Sequence, residues 1–111
     1  MTDRDHLDPE DTKLVTLARS ARARAQAQAG SRSGSTAGAA VRDTDGRTYV
    51  AASVELPSLR LSALQVAVAM AVSSGARGLE AAVITGDGRD DAGAAAVHDL
   101  APAAPIHHVQ T

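Results

Sequence analysis

A chain of 111 residues and 11.2 kDa supports one compact domain, near the size at which association with further copies helps stability. Eleven basic against thirteen acidic side chains leave a formal net charge of −2, so no global field draws the chain to nucleic acid or a membrane surface. Zero cysteines exclude disulfides, thiolate catalysis and every Cys-based metal site together.

The N-terminal MTDRDHLDPED is acidic and lacks the basic-then-apolar order of a secretory signal. The apolar run over residues 61–72 falls well short of the ~20 residues that a bilayer span needs, so no membrane association is expected and the default location is cytoplasmic. Residues 1–8 read as a disordered tail and residues 9–111 as a single domain. Tyr49 is the one aromatic residue, so the core must come from Leu, Val, Ile and many Ala, whose small side chains each bury little area.

Asp8, Pro9, Glu10 and Asp11 predict a helix start: Asp8 can cap free N–H groups, Pro9 suits the first turn, and acids favour the positive end of the dipole. Leu14, Leu17, Ala18, Ala21 and Ala25 then recur at three- and four-residue steps, with Arg19, Arg22 and Arg24 off that stripe and Gly30 as the stop. Residues 30–38, GSRSGSTAG, are a loop by composition. In AAVRDTDGRTYVAASVEL, Asp45 and Gly46 supply the positive-φ pair of a hairpin turn. Beyond the turn, Tyr49, Ala51, Ser53 and Glu55 alternate with Val50, Ala52 and Val54, which would set Ser53 and Glu55 on one face of a single strand.

Pro57 would close that strand and Ser58 would cap a helix over residues 59–74, with Gly75 as its stop. This helix is apolar nearly all round, the mark of an element covered on several sides. Residues 79–87, LEAAVITGD, predict a buried strand, after which Asp90 or Asp91 caps an Ala-rich helix through Leu100. APAAP is a break, and IHHVQ at residues 106–110 is a last short strand. The order is helix, strand, strand, helix, strand, helix, strand, which implies an α/β fold with helices packed on the faces of a mixed sheet.

The other polar features have plain explanations. His107 and His108 are neighbours in a strand and so face opposite sides, His98 has no partner at helical spacing, and His6 lies in the tail. GDGRDD lacks the twelve-residue spacing and closing Glu of a calcium loop, and GSRSGSTAG lacks the Lys-Ser/Thr ending of a phosphate loop. Arg19, Arg22 and Arg24 fit a solvated helix face, and without stacking aromatics nucleic acid is not an expected partner.

SGSTAGAAVRDTDGRTYVAASVE runs through a Ser-Gly, a Gly-Ala-Ala strand, an Asp-Gly-Arg turn and a Ser-x-Glu strand end, an order that resembles a segment of the small homo-oligomeric cytidine deaminases, where the strand ends in Asn-x-Glu. AVSSG at residues 71–75 resembles the Ala-Val-Ser-Glu-Gly that closes the family's central helix, and the likeness spans roughly residues 14–109. It implies a three-layer α/β cytidine deaminase-like fold. It also implies a reaction needing Zn²⁺ held by Cys or His from the starts of two helices, and a Glu that moves protons between the metal-bound water and the base.

Counting back from AVSSG, the family's Cys-Ala-Glu falls on Ser62, Ala63 and Leu64. Its Pro-Cys-Gly-x-Cys falls on Asp91, Ala92, Gly93, Ala94 and Ala95, so the three metal positions become Ser62, Ala92 and Ala95, and the proton shuttle becomes Leu64. The substrate-binding Asn-x-Glu becomes Ser53, Val54 and Glu55, a vestige that keeps the carboxylate, and the stacking Phe becomes Ser35.

The expectation is a catalytically inactive relative without a cofactor, where active relatives use zinc: an oligomeric scaffold or binding module, forming dimers or tetramers, with an unidentified protein partner as a further expectation. The alternative is a divergent nucleoside deaminase, a hydrolase releasing ammonia, with an altered metal site. On either reading the two helix starts should meet around a hollow bounded by Ser62, Ala92, Ala95 and Glu55.

Overall fold

A computed structural model describes residues 7–29, 37–86 and 89–110. His6, Gly30, Ser35, most of the GSRSGSTAG loop, and Asp87 and Gly88 of GDGRDD lie outside the described residues.

The Thr12 N–H donates to the Asp8 carbonyl at 2.8 Å, and the helix α1 runs Pro9–Ala29. Its predicted apolar stripe is the packed one: Leu14, Ala18 and Ala21 are buried and Leu17 and Ala25 half-buried, and Val15, outside the predicted stripe, is buried with them. The strands β1 (Gly38–Asp43) and β2 (Thr48–Ala52) form the predicted hairpin, pairing Val41 with Tyr49 and Ala39 with Ala51, with Gly46 at φ 87° in the turn. Asp43 organises that turn from a buried position. Its carboxylate accepts the N–H groups of Asp45 and Arg47, both at 2.9 Å, and the Tyr49 hydroxyl at 2.8 Å. Burial pushes the Asp43 carboxyl up, but these hydrogen bonds outweigh it and hold the group below the usual carboxylate range.

The next segment departs from the expected single strand and long helix. Strand β2 stops at Ala52, and a separate two-stranded ribbon follows, β3 (Val54–Leu56) against β4 (Leu59–Leu61), with Leu56 opposite Leu59 across Pro57 and Ser58. The helix α2 therefore covers Ala63–Ser73, and its cap is Ser62 rather than Ser58. The reason is local: Ser62 has Gln65 three residues on and forms a reciprocal capping box, whereas Ser58 has Leu61 there. Gly75, at φ 99°, follows the Ser74 cap as expected.

The strand β5 (Leu79–Thr85), the helix α3 (Asp91–Leu100, capped by Asp90) and the strand β6 (Ile106–Val109) complete the chain. The four-stranded sheet has the order β2-β1-β5-β6, antiparallel except for the parallel β5–β6 pair. Alternation along β1 and β5 divides the core into two layers. Ala40, Ala81 and Val83 meet Leu14, Val15 and Ala18 of α1. Ala39, Val41, Ala82 and Ile84 meet Leu64, Ala67, Val68 and Ala71 of α2 and Val97 of α3. Three layers result, with α1 on one face of the sheet and α2 and α3 on the other.

An ionic cluster around the buried Arg42 and Asp11 fastens α1 to the sheet. Arg42 of β1 lies 2.9 Å from Asp11 and 2.7 Å from Glu80 of β5, while Asp11 also meets His107 Nε2 of β6 at 3.2 Å. Helix α2 is not covered on several sides within one chain. It buries Ala63, Leu64, Ala67, Val68 and Ala71, and leaves Met70 41% and Val72 51% exposed. Among the described residues, no helix is long and apolar enough to cross a membrane.

Candidate functional site

Ser62 has extended backbone, φ −71° and ψ 164°, as a cap residue must. Its Oγ accepts the Gln65 N–H at 3.1 Å, and Gln65 Oε1 accepts the Ser62 N–H at 2.9 Å. At the start of α3, Asp90 Oδ1 accepts the Gly93 N–H at 2.7 Å. The other oxygen, Oδ2, crosses to the second helix and accepts the Leu64 N–H at 3.3 Å. One carboxylate thus receives an unpaired N–H from each of two helix starts, where both dipoles favour negative charge.

Beside this junction lies a cleft of about 390 Å³, whose polar lining includes Ser53, Glu55, Arg60, Ser62, Arg89 and Asp90. Ser53 follows the last residue of β2 and Glu55 is the middle residue of β3, so the break after Ala52 delivers both to the rim. Arg60 comes from the opposite strand of that ribbon, paired with Glu55 in the register. Arg89 lies 3.2 Å from Asp91, with both side chains mostly exposed, a contact that adds little stability.

The expected site residues separate into two groups. Ser53, Glu55 and Ser62 line the cleft, and Leu64 lies beneath it, 1% exposed within the apolar core. Ala92 and Ala95 are exposed on α3, and neither lines the cleft. The hollow expected between Ser62, Ala92, Ala95 and Glu55 is therefore bounded on the α3 side by Asp90 instead. Where α3 begins, Asp90 and Gly93 are turned toward α2: a Cβ on Gly93 would collide with the Asp90 carboxylate and with the Leu64 Cβ. Helix periodicity is the cause, because residues two positions along a helix turn about 200° away from the first.

The donor set at the junction does not suit zinc, which takes Cys, His or carboxylate ligands in a tetrahedral arrangement. A hydroxyl and one carboxylate are present, and both are engaged by backbone N–H groups. Among the described residues no group of three or more His, Cys, Asp or Glu side chains is placed to hold a metal ion. The described histidines serve elsewhere: His98 Nε2 meets the Ala104 carbonyl at 3.3 Å, His108 Nε2 the Gly86 carbonyl at 3.2 Å, and His107 the Asp11 carboxylate.

The profile of the family described as Cytidine deaminase-like matches residues 7–111. The chain belongs to that family. Among solved structures, the cytidine deaminase from Mycobacterium leprae superposes with a TM-score of 0.72 at 21% identity, covering 89% of this chain and 87% of that one. The cytidine deaminase from Mycobacterium tuberculosis gives 0.66 at 23% identity, with 85% and 84% covered. That from Burkholderia pseudomallei gives 0.65 at 23% identity, with 80% and 75% covered. No curated protein matches at a significant level. These likenesses establish a cytidine deaminase-like fold, and the mixed sheet with helices on both faces agrees with it.

At the junction, the part Gln65 plays and the reach of Asp90 to α2 lie outside the expectations drawn from the sequence. The Ser62-x-x-Gln65 box was a usable signal and would have started α2 correctly. Asp90 was visible as a cap, but its reach to Leu64 depends on a tertiary approach that no local pattern encodes.

Proposed function

We propose that this cytidine deaminase-like chain carries no deaminase chemistry and serves as an oligomeric scaffold or binding module. The observation that supports this most is Leu64. It stands where the family's proton-moving Glu is aligned, and it is packed into the core instead of facing the cleft. Without an ionisable group there, that position offers nothing to carry a proton between an attacking water and the base. No zinc is expected, since the polar atoms at the helix starts are already committed to helix N–H groups.

Ser53 and Glu55 still offer a hydroxyl and a carboxylate at the rim of the cleft, so weak contact with the hydroxyls of a nucleoside-like ligand is the binding activity this reading allows. Self-association draws support from Met70 and Val72, large apolar side chains left exposed on α2. The test is metal content and turnover of the purified chain. Negligible zinc and no ammonia release from cytidine are expected, and stoichiometric zinc or measurable ammonia would overturn the reading in favour of a divergent deaminase.

A further inference from the structure

We infer that Asp90 and Gly93, rather than Ala92 and Ala95, stand at the positions of the family's two metal-binding Cys on α3, and that the Asp90 carboxylate ties the starts of α2 and α3 together in the metal's place. The inference rests on the metal-free reading above.

The two pairs have the same three-residue spacing, so spacing alone does not choose between them. Orientation does. Two ligands that share a metal with the start of α2 must lie on the face of α3 turned toward α2. Asp90 and Gly93 occupy that face, whereas Ala92 and Ala95 are exposed.

The chemistry of the junction follows from this placement. The first turns of two helices converge here, each with N–H groups that have no partner within its own helix. A site with thiolates would supply negative charge between them; in this chain one carboxylate does so, with one oxygen for each helix. Gly93 makes the arrangement sterically allowed. Any side chain at 93 would strike both the Asp90 carboxylate and Leu64, so the absence of a side chain there is what lets α3 approach closely enough for Asp90 to reach the Leu64 N–H. Asp90 and Gly93 therefore work as a pair: one supplies the link and the other the room.

The experiment uses the full-length chain in buffer with EDTA, and follows amide hydrogen exchange together with urea unfolding for Asp90→Ser and Asp90→Asn. Serine can cap α3 through Gly93 but is too short to span both helices. Asparagine retains one acceptor oxygen and replaces the other with a donor. In Asp90→Ser, Leu64 amide exchange should accelerate about tenfold, the scale of one lost hydrogen bond to a charged group, while the Gly93 amide changes little. Asp90→Asn should show the same selectivity, and both variants should unfold at lower urea. A Leu64 amide indifferent to both substitutions, or Leu64 and Gly93 amides accelerating equally, would overturn the tie. Stoichiometric zinc in the purified wild type would overturn the metal-free reading regardless of the variants. A zinc-free chain whose Leu64 amide ignores Asp90 would sink this inference alone.

Discussion

Gly93 of α3 lies against Leu64 of α2 so closely that a methyl group on the glycine would collide with the Leu64 Cβ. In an ordinary helix interior, replacing Gly by Ala stabilises by roughly 0.8–1 kcal/mol. Here the sign should reverse. Gly93→Ala must push α3 away from α2, and overpacking of this kind costs about 1–3 kcal/mol, so the urea midpoint should fall. A midpoint that rises would show that the two helices can separate without loss.

Ser62 is a helix cap in this structure, and its substitution should behave as one. Ser62→Ala removes the acceptor for the Gln65 N–H and should destabilise by about 1 kcal/mol. Gln65→Ala should cost less on its own. The double variant should lose less than the sum, because the two side chains form one reciprocal unit. Chemical denaturation of the three variants measures this.

Arg42 is held by Glu80 and Asp11. Burial works to lower its pKa, but the hydrogen bonds and charges of those carboxylates prevail and raise it, so it remains a cation at every working pH. Arg42→Ala leaves Asp11 buried beside His107 without its main counter-charge and should cost about 3–5 kcal/mol. An Arg42→Leu and Asp11→Leu double variant should recover much of that loss. Thermal or urea unfolding of both distinguishes a needed charge from a needed shape.

The hairpin predicts opposite effects in acid and alkali. Asp43 has a lowered folded pKa, so its contribution is fully present above the unfolded value of ~3.9 and is lost as pH falls through the folded value. Tyr49 has a raised folded pKa, caused first by its hydrogen bond to Asp43 and then by burial. Its contribution is present below the unfolded value of ~10 and is lost as pH rises through the folded value. Asp43→Asn should flatten the acid limb of a stability-versus-pH curve, and Tyr49→Phe the alkaline limb.

Met70 and Val72 are exposed on α2, about 200° apart around its axis, so they flank its buried face on either side. If α2 joins copies of the chain through either side, Met70→Lys with Val72→Lys should shift light scattering toward the monomer while leaving the secondary structure intact. An unchanged particle mass would place the contact elsewhere.

Elements whose signals are local were readable in the sequence. Asp45-Gly46 marked its hairpin, Asp8-Pro9 marked the start of α1, and the pair Asp90-Asp91, of which Asp90 is the cap, marked that of α3. The stretch from Ser53 to Ser62 was not, because its apolar residues fit a strand continuation or a helix start equally well; only Gln65 distinguishes Ser62 from Ser58 as the cap. The site was readable in part for a related reason. Ser53, Glu55 and Ser62 adjoin strand or helix ends, so their place at the cleft follows from element order. Ala92 and Ala95 depended on a register anchored by one glycine, and the rotation of α3 about its own axis is set by what packs against it.

The hydrogen bond from Tyr49 to Asp43 has a practical corollary. Since this phenol is the chain's sole chromophore of its kind, ultraviolet absorbance above 270 nm and intrinsic fluorescence originate at one address, the second strand of the first hairpin. Any near-ultraviolet or fluorescence signal from the protein is therefore already site-specific without a label, and it reports whether that strand still grips the carboxylate.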